Sequence, residues 1–392
     1  MSKNKPKKIM KVAVVTGTRA EYGILKPLLK KIKNFSGFKL ELMITGIHLL
    51  KRYGLTIGEI KKDGFKTDER VVMYEKNEEA SCYYGEALGK GIKNFTKMFL
   101  KIKPDLLIVL GDRLEPLAAT LSAANLIIPI IHIHGGEKTN SGCIDESIRH
   151  AITRFAHIHL VSTEQSKQRL IKMGEEPWRI FRVGALGQES FLNSPKIKRE
   201  VLFGKFRLDS KQKLILCLFN PVIFEADKMG RHMREILKAL EELKIQSIII
   251  YPNNDIGGKD IIKEIDKHKN SPFIKIYPNL NHEDYVSLLK QANVLIGNSS
   301  SGIIEAPSIK LPVVNIGLRN TGREHAENII FADPAKNDII EAIKKTLYDK
   351  KFRKKLKTCK NPYGDTKTVE KIINILNKIK INKKLLTKYL TY

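Results

Sequence analysis

Several charged residues stand directly after apolar segments that the pattern predicts as strands. Arg19 and Glu21 follow the first segment in TGTRAEYG, Asp112 and Arg113 follow another in LGDRLE, and Glu137 ends HIHGGE. Taken singly, such residues also have structural interpretations, as a surface ion-pair partner or a helix N-cap. Ligands of open α/β sheets bind at the carboxyl ends of strands. We therefore expect these side chains to share one site, where carboxylates transfer protons and arginines bind an anion.

Two histidines of HIHGGE, His132 and His134, admit three interpretations. They are candidates for catalysis, they fit half-buried strand positions, and an HxH pair can ligate a metal from one strand face. No third ligand is placed beside them, so we predict no metal. Asp145 and Glu146 begin the helix that follows. Asp112, His132, His134, Glu137 and Asp145 are therefore all candidates for this site.

A second candidate site lies in NVLIGNSSSGIIEAPS, where an apolar strand runs into a Gly/Ser turn before a helix. Backbone N–H groups at the helix N-terminus and the hydroxyls of Ser299 and Ser300 would bind a phosphate. Glu305, about one turn further on, would accept hydrogen bonds from ribose hydroxyls. The alternative is a serine-rich helix cap without a ligand. The chain has no GxGxxG and no Walker lysine motif, so neither a dinucleotide fold nor an ATPase is predicted.

Short apolar strands alternate with amphipathic helices in both halves of the chain, which predicts parallel, doubly wound sheets. We expect an α/β protein with two Rossmann-like domains facing across a cleft, a GT-B-like architecture. The N-terminal domain at 1–190 would carry the acid–base residues. A linker at 191–212 would lead to a nucleotide-binding domain at 213–370 and a helical tail at 371–392.

Composition indicates which class of protein the chain belongs to and in which cellular compartment it is expected. The chain has 392 residues, of which 42% are hydrophobic, which suits two globular domains. No apolar run approaches the roughly 18 residues that span a bilayer, and no signal peptide follows the basic N-terminus. The four cysteines, at positions 82, 143, 217 and 359, have no paired spacing. We therefore expect a cytoplasmic protein without a disulfide framework or a zinc site.

The formal net charge of +28 raises the question of a polyanionic partner. The lysines are dispersed at helical spacing and form no basic motif interleaved with aromatic residues. We therefore expect solvated helix faces, a phosphate-bearing substrate and no nucleic-acid partner.

These motifs together resemble the UDP-N-acetylglucosamine 2-epimerase family, particularly its hydrolysing branch. The matching pieces, in family order from residue 9 to about 330, are TGTRAEYG, ITGIHLLKRYGLTIGEIKKDG, LGDRLE, HIHGGE, IDESIRHAITRFAHIH, YPNND, IGNSSSGIIEAPS and VVNIGLRNTGR. The resemblance implies a GT-B-like fold, a homodimer or homotetramer, and neither metal nor cofactor. It implies an enzyme that converts UDP-N-acetylglucosamine, or a 2,4-diacetamido-trideoxy analogue, to UDP and the C2-inverted free sugar. Anti elimination and addition of water would form that sugar, which feeds sialic- or legionaminic-type acid synthesis.

The resemblance also assigns roles to single residues. Acid–base work falls to Asp112, the HIHGGE segment and Asp145. The nucleotide contacts fall to Arg19, Arg113, Asn253, His282, Ser299, Ser300, Glu305 and Arg319.

The chain departs from the family pattern at two positions. Several members have a glutamate where this chain has His134, so the carboxylate role would pass to Glu137. Members also carry a histidine in a His-Pro-Val/Thr segment where this chain has Asn220. A neutral amide thus replaces a titratable group near the phosphates, which bears on the exact substrate and the rate.

Three other functions share part of this pattern. A non-hydrolysing 2-epimerase returns UDP to the glycal, but its first motif usually reads differently from TGTRAEYG. A GT-B glycosyltransferase would use a similar nucleotide site, but the carboxylate-rich first domain argues against it. A non-enzymatic polyanion-binding protein is suggested only by the net charge.

Overall fold

The computed structural model describes residues 9–51, 54–74, 84–139, 144–253, 255–364 and 366–392. Within these ranges the strands are β1 (Met10–Thr16), β2 (Phe38–Thr45), β3 (Arg70–Val71), β4 (Leu106–Leu110), β5 (Ile130–Ile133), β6 (Ile158–Val161), β7 (Ile180–Arg182), β8 (Ile215–Leu218), β9 (Ser247–Ile250), β10 (Ile274–Tyr277), β11 (Val294–Gly297), β12 (Val313–Ile316) and β13 (Ile329–Ala332). The α-helices there are α1 (Arg19–Lys33), α2 (Ile57–Lys62), α3 (Tyr84–Ile102), α4 (Leu114–Asn125), α5 (Asp145–Phe155), α6 (Glu164–Lys172), α7 (Gly187–Asn193), α8 (Arg199–Lys205), α9 (Met229–Leu243), α10 (Gly258–Asp266), α11 (His282–Leu289), α12 (Ser301–Ile304), α13 (Lys336–Tyr348), α14 (Lys350–Thr358), α15 (Thr368–Lys378) and α16 (Lys383–Leu386). Short 3-10 helices lie at Gly46–Leu49, Pro177–Arg179, Ile223–Lys228 and Ala306–Ile309.

The chain forms two compact units. The first comprises Met1–Glu137, Ile144–Ser190 and Thr366–Tyr392, and the second comprises Lys138–Cys143 and Phe191–Asp365. Each unit contains one sheet in which the paired strands are all parallel. The predicted α/β class with two doubly wound domains is confirmed.

The first unit has the strand order β3-β2-β1-β4-β5-β6-β7 and a core on each face of its sheet. Val12 and Val14 of β1 pack with apolar residues of α1 and α15. Ala13 and Val15 pack on the other face with residues of α3 and α4. Successive side chains of a strand point to opposite faces, so a continuous apolar strand indicates a sheet covered on both sides. The strand order reverses at β1 and β4, which is where such sheets bind ligands.

The second unit repeats this plan with the order β10-β9-β8-β11-β12-β13. Ile215 and Cys217 of β8 pack with α9, α10 and α13, whereas Leu214 and Leu216 pack with α8 and α11 on the other face. The order reverses at β8 and β11. Each unit therefore places one switch point at the carboxyl ends of its central strands.

The domain limits differ in detail from those that the sequence predicts. The segment predicted as a polar linker contains α8, whose Leu202 and Phe203 are buried in the core of the second unit together with Phe206. The segment from Thr366 belongs to the first unit, because Ile372 and Leu376 of α15 are buried against β1 and α1. Lysines between these apolar residues obscure both segments in the sequence.

Two further observations bear on the predictions from composition. Cys217 and Cys359 are buried free thiols, and the other two cysteines lie outside the described residues. No helix in the described part of the chain has both the length and the apolar content to cross a membrane.

Candidate active site

Asp112 and Glu137 are joined in the first unit by a buried arginine that the sequence analysis did not single out. Helix α5 begins at Asp145, as predicted, and carries Arg149 about one turn later. The Arg149 side chain is only 3% exposed and forms ion pairs with Asp112 and Glu146. It also donates a hydrogen bond to the carbonyl oxygen of Glu137 at 3.0 Å. These contacts fix the direction of the Asp112 carboxylate, which remains 29% exposed.

His132 holds the turn that carries Asp112. It is fully buried, and burial lowers its pKa to about 3, so the ring is neutral at physiological pH. Its Nε2 lies 2.7 Å from the carbonyl oxygen of Gly111, so Nε2 carries the hydrogen and donates. Its Nδ1 lies 3.1 Å from the hydroxyl of Thr153 and accepts from it. Both ring nitrogens of His132 are thus engaged in hydrogen bonds, and the ring supports the turn that carries Asp112.

The HIHGGE segment folds back through close backbone contacts. A Cβ atom on Gly135 would lie 2.9 Å from Nδ1 of His132, so only glycine fits there. His134 has φ +66 and its Nε2 accepts a hydrogen bond from the backbone N–H of Leu186 at 3.2 Å. Glu137 is 7% exposed at the end of this turn. In the part of the chain that the structure describes, no three His, Cys, Asp or Glu side chains are grouped as metal ligands.

A second carboxyl pair lies at the switch point between β1 and β4. Glu115 is fully buried and accepts hydrogen bonds from the Tyr74 hydroxyl at 3.2 Å and from Nε of Arg113 at 3.3 Å. The negative charge of Glu115 raises the pKa of Arg113. Glu21 accepts from the backbone N–H of Gly17 at 2.7 Å, and burial raises the pKa of Glu21 to about 8. Glu21 is therefore largely protonated at neutral pH, next to an arginine held by Glu115.

Arg19 lies at the surface, at the first position of α1. Its Nε pairs with Glu59 at 3.2 Å, and the two side chains are 50% and 46% exposed. Exposed ion pairs contribute little to stability. Arg19 can therefore exchange Glu59 for a phosphate at small cost.

The buried side chains of four asparagines connect the strand ends of the second unit. The side chain of Asn298 accepts from the backbone N–H of Asn220 at 2.6 Å and donates to its carbonyl at 2.7 Å. The Asn220 side-chain oxygen accepts from the backbone N–H of Asn253 at 3.0 Å. Asn320 donates to the Asn298 carbonyl at 3.0 Å and to the side-chain oxygen of Asn315 at 2.9 Å. The ends of β8, β9, β11 and β12 are thus linked by buried amides.

The predicted phosphate-binding turn follows β11 directly. Ser299 and Ser300 are half-buried, and the Ser299 hydroxyl accepts from the backbone N–H of Ser301 at 3.3 Å. The following helix, α12, is only one turn long. Burial raises the pKa of Glu305 to about 7, and among the described residues its Oε2 has no hydrogen-bond partner. Arg319 is half-buried and donates to the carbonyl of Asn298 at 3.2 Å.

The two remaining predicted nucleotide contacts are exposed. Asn253 follows β9 and donates from its side chain to Asp255 at 2.7 Å. His282 is the first residue of α11, whose cap is Asn281. The structure therefore groups Arg319, through Asn298, with the turn at Ser299 and Ser300, which we call the serine turn. It also links Asn253 to Asn298 through Asn220.

The sequence model of the UDP-N-acetylglucosamine 2-epimerase family matches residues 30–377. The chain belongs to this family. A UDP-N,N'-diacetylbacillosamine 2-epimerase (hydrolyzing) of Legionella pneumophila is 36% identical over 98% of this chain and 100% of its own length. A UDP-N-acetylglucosamine 2-epimerase of Neisseria meningitidis is also 36% identical, over 87% of this chain and 89% of its own.

Solved structures of epimerases share the fold. The crystal structure of UDP-GlcNAc 2-epimerase from Neisseria meningitidis bound to UDP-GlcNAc superposes with a TM-score of 0.80 at 20% identity. The superposition covers 94% of this chain and all of that chain. The predicted family and its GT-B-like class of fold are confirmed.

The sequence of this epimerase-family chain does contain a signal for Arg149, which the motifs did not identify. Arg149 lies between Ile148 and Ile152, at the buried positions of an amphipathic helix. It also stands four residues after Asp145 and three after Glu146, on one helix face. A charged residue at a core position next to two carboxylates indicates a buried ion pair.

Proposed function

We propose that this chain is a hydrolysing 2-epimerase that converts a UDP-linked 2-acetamido sugar to UDP and the C2-inverted free sugar. The proposal rests on one observation about Asp112. Its carboxylate lies at a switch point of the sheet, is held in place by the buried Arg149, and is still partly exposed. Relatives that are 36% identical are named as hydrolysing 2-epimerases of UDP-diacetylbacillosamine and GDP/UDP-diacetylbacillosamine. UDP-N-acetylglucosamine and its 2,4-diacetamido-trideoxy analogue are therefore the substrates to test.

The reaction needs a base and an acid at the sugar. A base removes the proton at C2, the C1–O electron pair leaves with UDP, and a C1–C2 double bond forms. Water then adds its oxygen to C1, and a proton is delivered to C2 on the opposite face. Asp112 is our candidate for the base, and Glu137 and Asp145 complete the acid–base group. Glu21 adds a carboxyl group that is protonated at neutral pH, so the first unit offers both protonation states.

The departing diphosphate needs positive charge and hydrogen-bond donors. Arg19 and Arg113 supply charge on the first unit. On the second unit, the proposed nucleotide contacts are Asn253, His282, Ser299, Ser300, Glu305 and Arg319. A carboxyl group such as Glu305, with a buried oxygen, suits the two hydroxyls of a ribose.

We further propose the setting in which this reaction takes place. The free sugar would feed sialic- or legionaminic-type acid synthesis in the cytoplasm, and the enzyme would act as a homodimer or homotetramer. It would require neither cofactor nor metal. Light scattering of the purified chain tests the oligomeric state, and full activity after chelation tests the metal.

The decisive experiment is turnover in deuterium oxide, with each of the two UDP-sugars supplied separately. We expect one equivalent of UDP and a free sugar with deuterium at C2 and inverted configuration there. Deuterium at C2 in a sugar still attached to UDP would identify a non-hydrolysing epimerase. A free sugar with hydrogen and unchanged configuration at C2 would exclude epimerisation.

A further inference from the structure

Segment 383–392 is held against the rest of the first unit by two cationic side chains that are largely buried. Arg179 is fully buried and donates hydrogen bonds to the carbonyl oxygens of Lys384, Leu385 and Thr387 at 3.2, 2.8 and 2.6 Å. The side chain of Lys388 is only 12% exposed and pairs with Glu175 at 2.7 Å. Buried cations are tolerated only with such complete sets of partners. The segment is therefore docked through specific contacts.

Lys388 contacts helix α5, which begins with the candidate catalytic residue Asp145 and carries Arg149. Its Nζ donates to the carbonyl oxygens of Thr153 at 3.0 Å, Arg154 at 2.8 Å and Ala156 at 2.8 Å, at the carboxyl end of α5. The last carbonyls of a helix lack partners within the helix, and a cation there also interacts favourably with the helix dipole. A residue of the docked segment thus caps the helix that begins at Asp145.

A continuous path leads from this cap to the candidate base. The Thr153 hydroxyl bonds Nδ1 of His132 at 3.1 Å, and Nε2 of His132 bonds the Gly111 carbonyl at 2.7 Å. The next residue is Asp112, whose carboxylate pairs with Arg149 of the same helix. The placement of α5 therefore sets both the backbone and the side-chain direction of Asp112.

We propose that Lys388 is a positioning residue for the reaction, which orients Asp112 by fixing the carboxyl end of α5. This inference rests on the proposed function, because Asp112 is the candidate base. The partners of the Lys388 side chain are Glu175 and the carbonyls at the end of α5, so its effect on Asp112 is transmitted through the helix. Removing it should change the rate of the chemical step and leave nucleotide affinity unchanged.

The test compares Lys388→Met with Lys383→Met, a matched change at an exposed lysine of α16. We expect Lys388→Met to lower kcat by about 10- to 100-fold, with KM and UDP affinity within about twofold of the control. Hydrogen exchange should become faster at the last turn of α5 and at the amide of Gly111, which donates to the carbonyl of Ile133 at 3.0 Å. A kcat equal to that of Lys383→Met would overturn the proposal.

A double-mutant cycle with Thr153→Val tests the path. If Lys388 acts through Thr153 and His132, the double variant should lose less activity than the product of the two single losses. Losses that multiply fully would overturn the path. Should Lys388→Met not fold, Thr153→Val alone decides, because full kcat in that variant contradicts the path.

The hydrogen-exchange measurement separates this inference from the proposed function. If the wild-type chain releases no free sugar, the proposed function fails. Faster exchange at the Gly111 amide in Lys388→Met would still support positioning by Lys388, and unchanged exchange would overturn it.

Discussion

Arg149 gives Asp112 a fixed direction because a guanidinium can bond two carboxylates and a carbonyl at once. Asp112 faces it from the end of β4, Glu146 faces it from the preceding helical turn, and the Glu137 carbonyl closes the third side. Removing one carboxylate leaves the arginine with its other partners. A variant at Asp112 can therefore lose chemistry while the buried charge stays paired.

We expect Asp112→Asn to lower kcat by about 100-fold or more, since general acid–base help is typically worth that much. UDP affinity should remain within about twofold, because the amide keeps the shape of the carboxyl group. Steady-state kinetics and calorimetry measure the two effects. Asp68→Asn, at a position of the same unit outside the site, is the control. Equal losses of UDP affinity and kcat would show that Asp112 binds the nucleotide instead.

Asn220 bears on the departure from the family pattern. Its side-chain oxygen accepts the backbone N–H of Asn253 at 3.0 Å, and a neutral imidazole nitrogen can accept the same bond. We therefore expect Asn220→His to keep turnover within roughly tenfold of the wild type, a change below about 1.4 kcal/mol. A large gain in rate, with a new pH dependence near neutrality, would show that a titrating group belongs at this position.

Glu21 gives the chain a pH-dependent stability of known sign. Burial raises its pKa from the ordinary 4.5 to about 8. Between these two pH values the folded chain therefore holds a proton that the unfolded chain has released. The stability due to Glu21 is therefore lost as the pH rises towards 8. Glu21→Gln removes this titration. We expect the melting temperature of the variant, relative to the wild type, to rise between about pH 5 and pH 8 and to level off above that range. A constant difference would mean that Glu21 is already ionised in the folded chain.

The sequence predicted where the carboxylates lie better than what they do. Asp112 and Glu137 were found because residues after parallel strands share one edge of a sheet. The neutral state of His132 was not predictable, because it arises from burial by segments that lie far apart in the sequence. The raised pKa of Glu21 likewise arises from burial, which no local pattern of residues shows.

Among the elements, the long apolar strands were predictable from the sequence. Very short strands and half-exposed strands were not. β3 has two residues, too few to show an alternating pattern. β13 is mostly half-exposed, as suits a strand at the end of its sheet, so its sequence lacks a continuous buried run. Helix α12 has only four residues because a 3-10 helix begins at Ala306, next to Pro307. Proline lacks the N–H that would continue the α-helix.

The turn after β11 depends on Gly297. It has φ +118, and a Cβ atom there would lie 2.2 Å from the carbonyl oxygen of Leu218. We expect Gly297→Ala to lower the free energy of unfolding by at least about 1–3 kcal/mol and to weaken UDP binding, since the serine turn must shift. Gly89→Ala is the control, because no atom lies within 4 Å of the added Cβ. Denaturant unfolding and calorimetry give both quantities, and wild-type UDP affinity in the Gly297→Ala variant would argue against the serine turn as the phosphate site.

At the scale of the whole molecule, the proposed function assigns acid–base chemistry to the first unit and nucleotide binding mainly to the second. The first supplies the carboxyl groups and Arg149, and the second supplies the asparagine-linked strand ends with Glu305 and Arg319. Each unit has its own core and the same reversal of strand order. The two sheets were predictable, because the strand pattern repeats in both halves. The return of the segment from Thr366 to the first unit was not, because it depends on contacts far apart in the sequence.

The net charge of +28 should strengthen the binding of the substrate's phosphates and have little effect on the binding of its uracil base. Screening shortens the reach of surface charge to about 10 Å at 0.1 M salt. We expect the Kd of UDP to rise several-fold between about 50 and 300 mM sodium chloride, while the Kd of uridine stays nearly constant. Calorimetry with both ligands, at constant pH, separates the charge effect from contacts to the base and ribose. Equal salt dependence for UDP and uridine would mean that the excess lysines do not act on the bound phosphates and serve only as solvated surface.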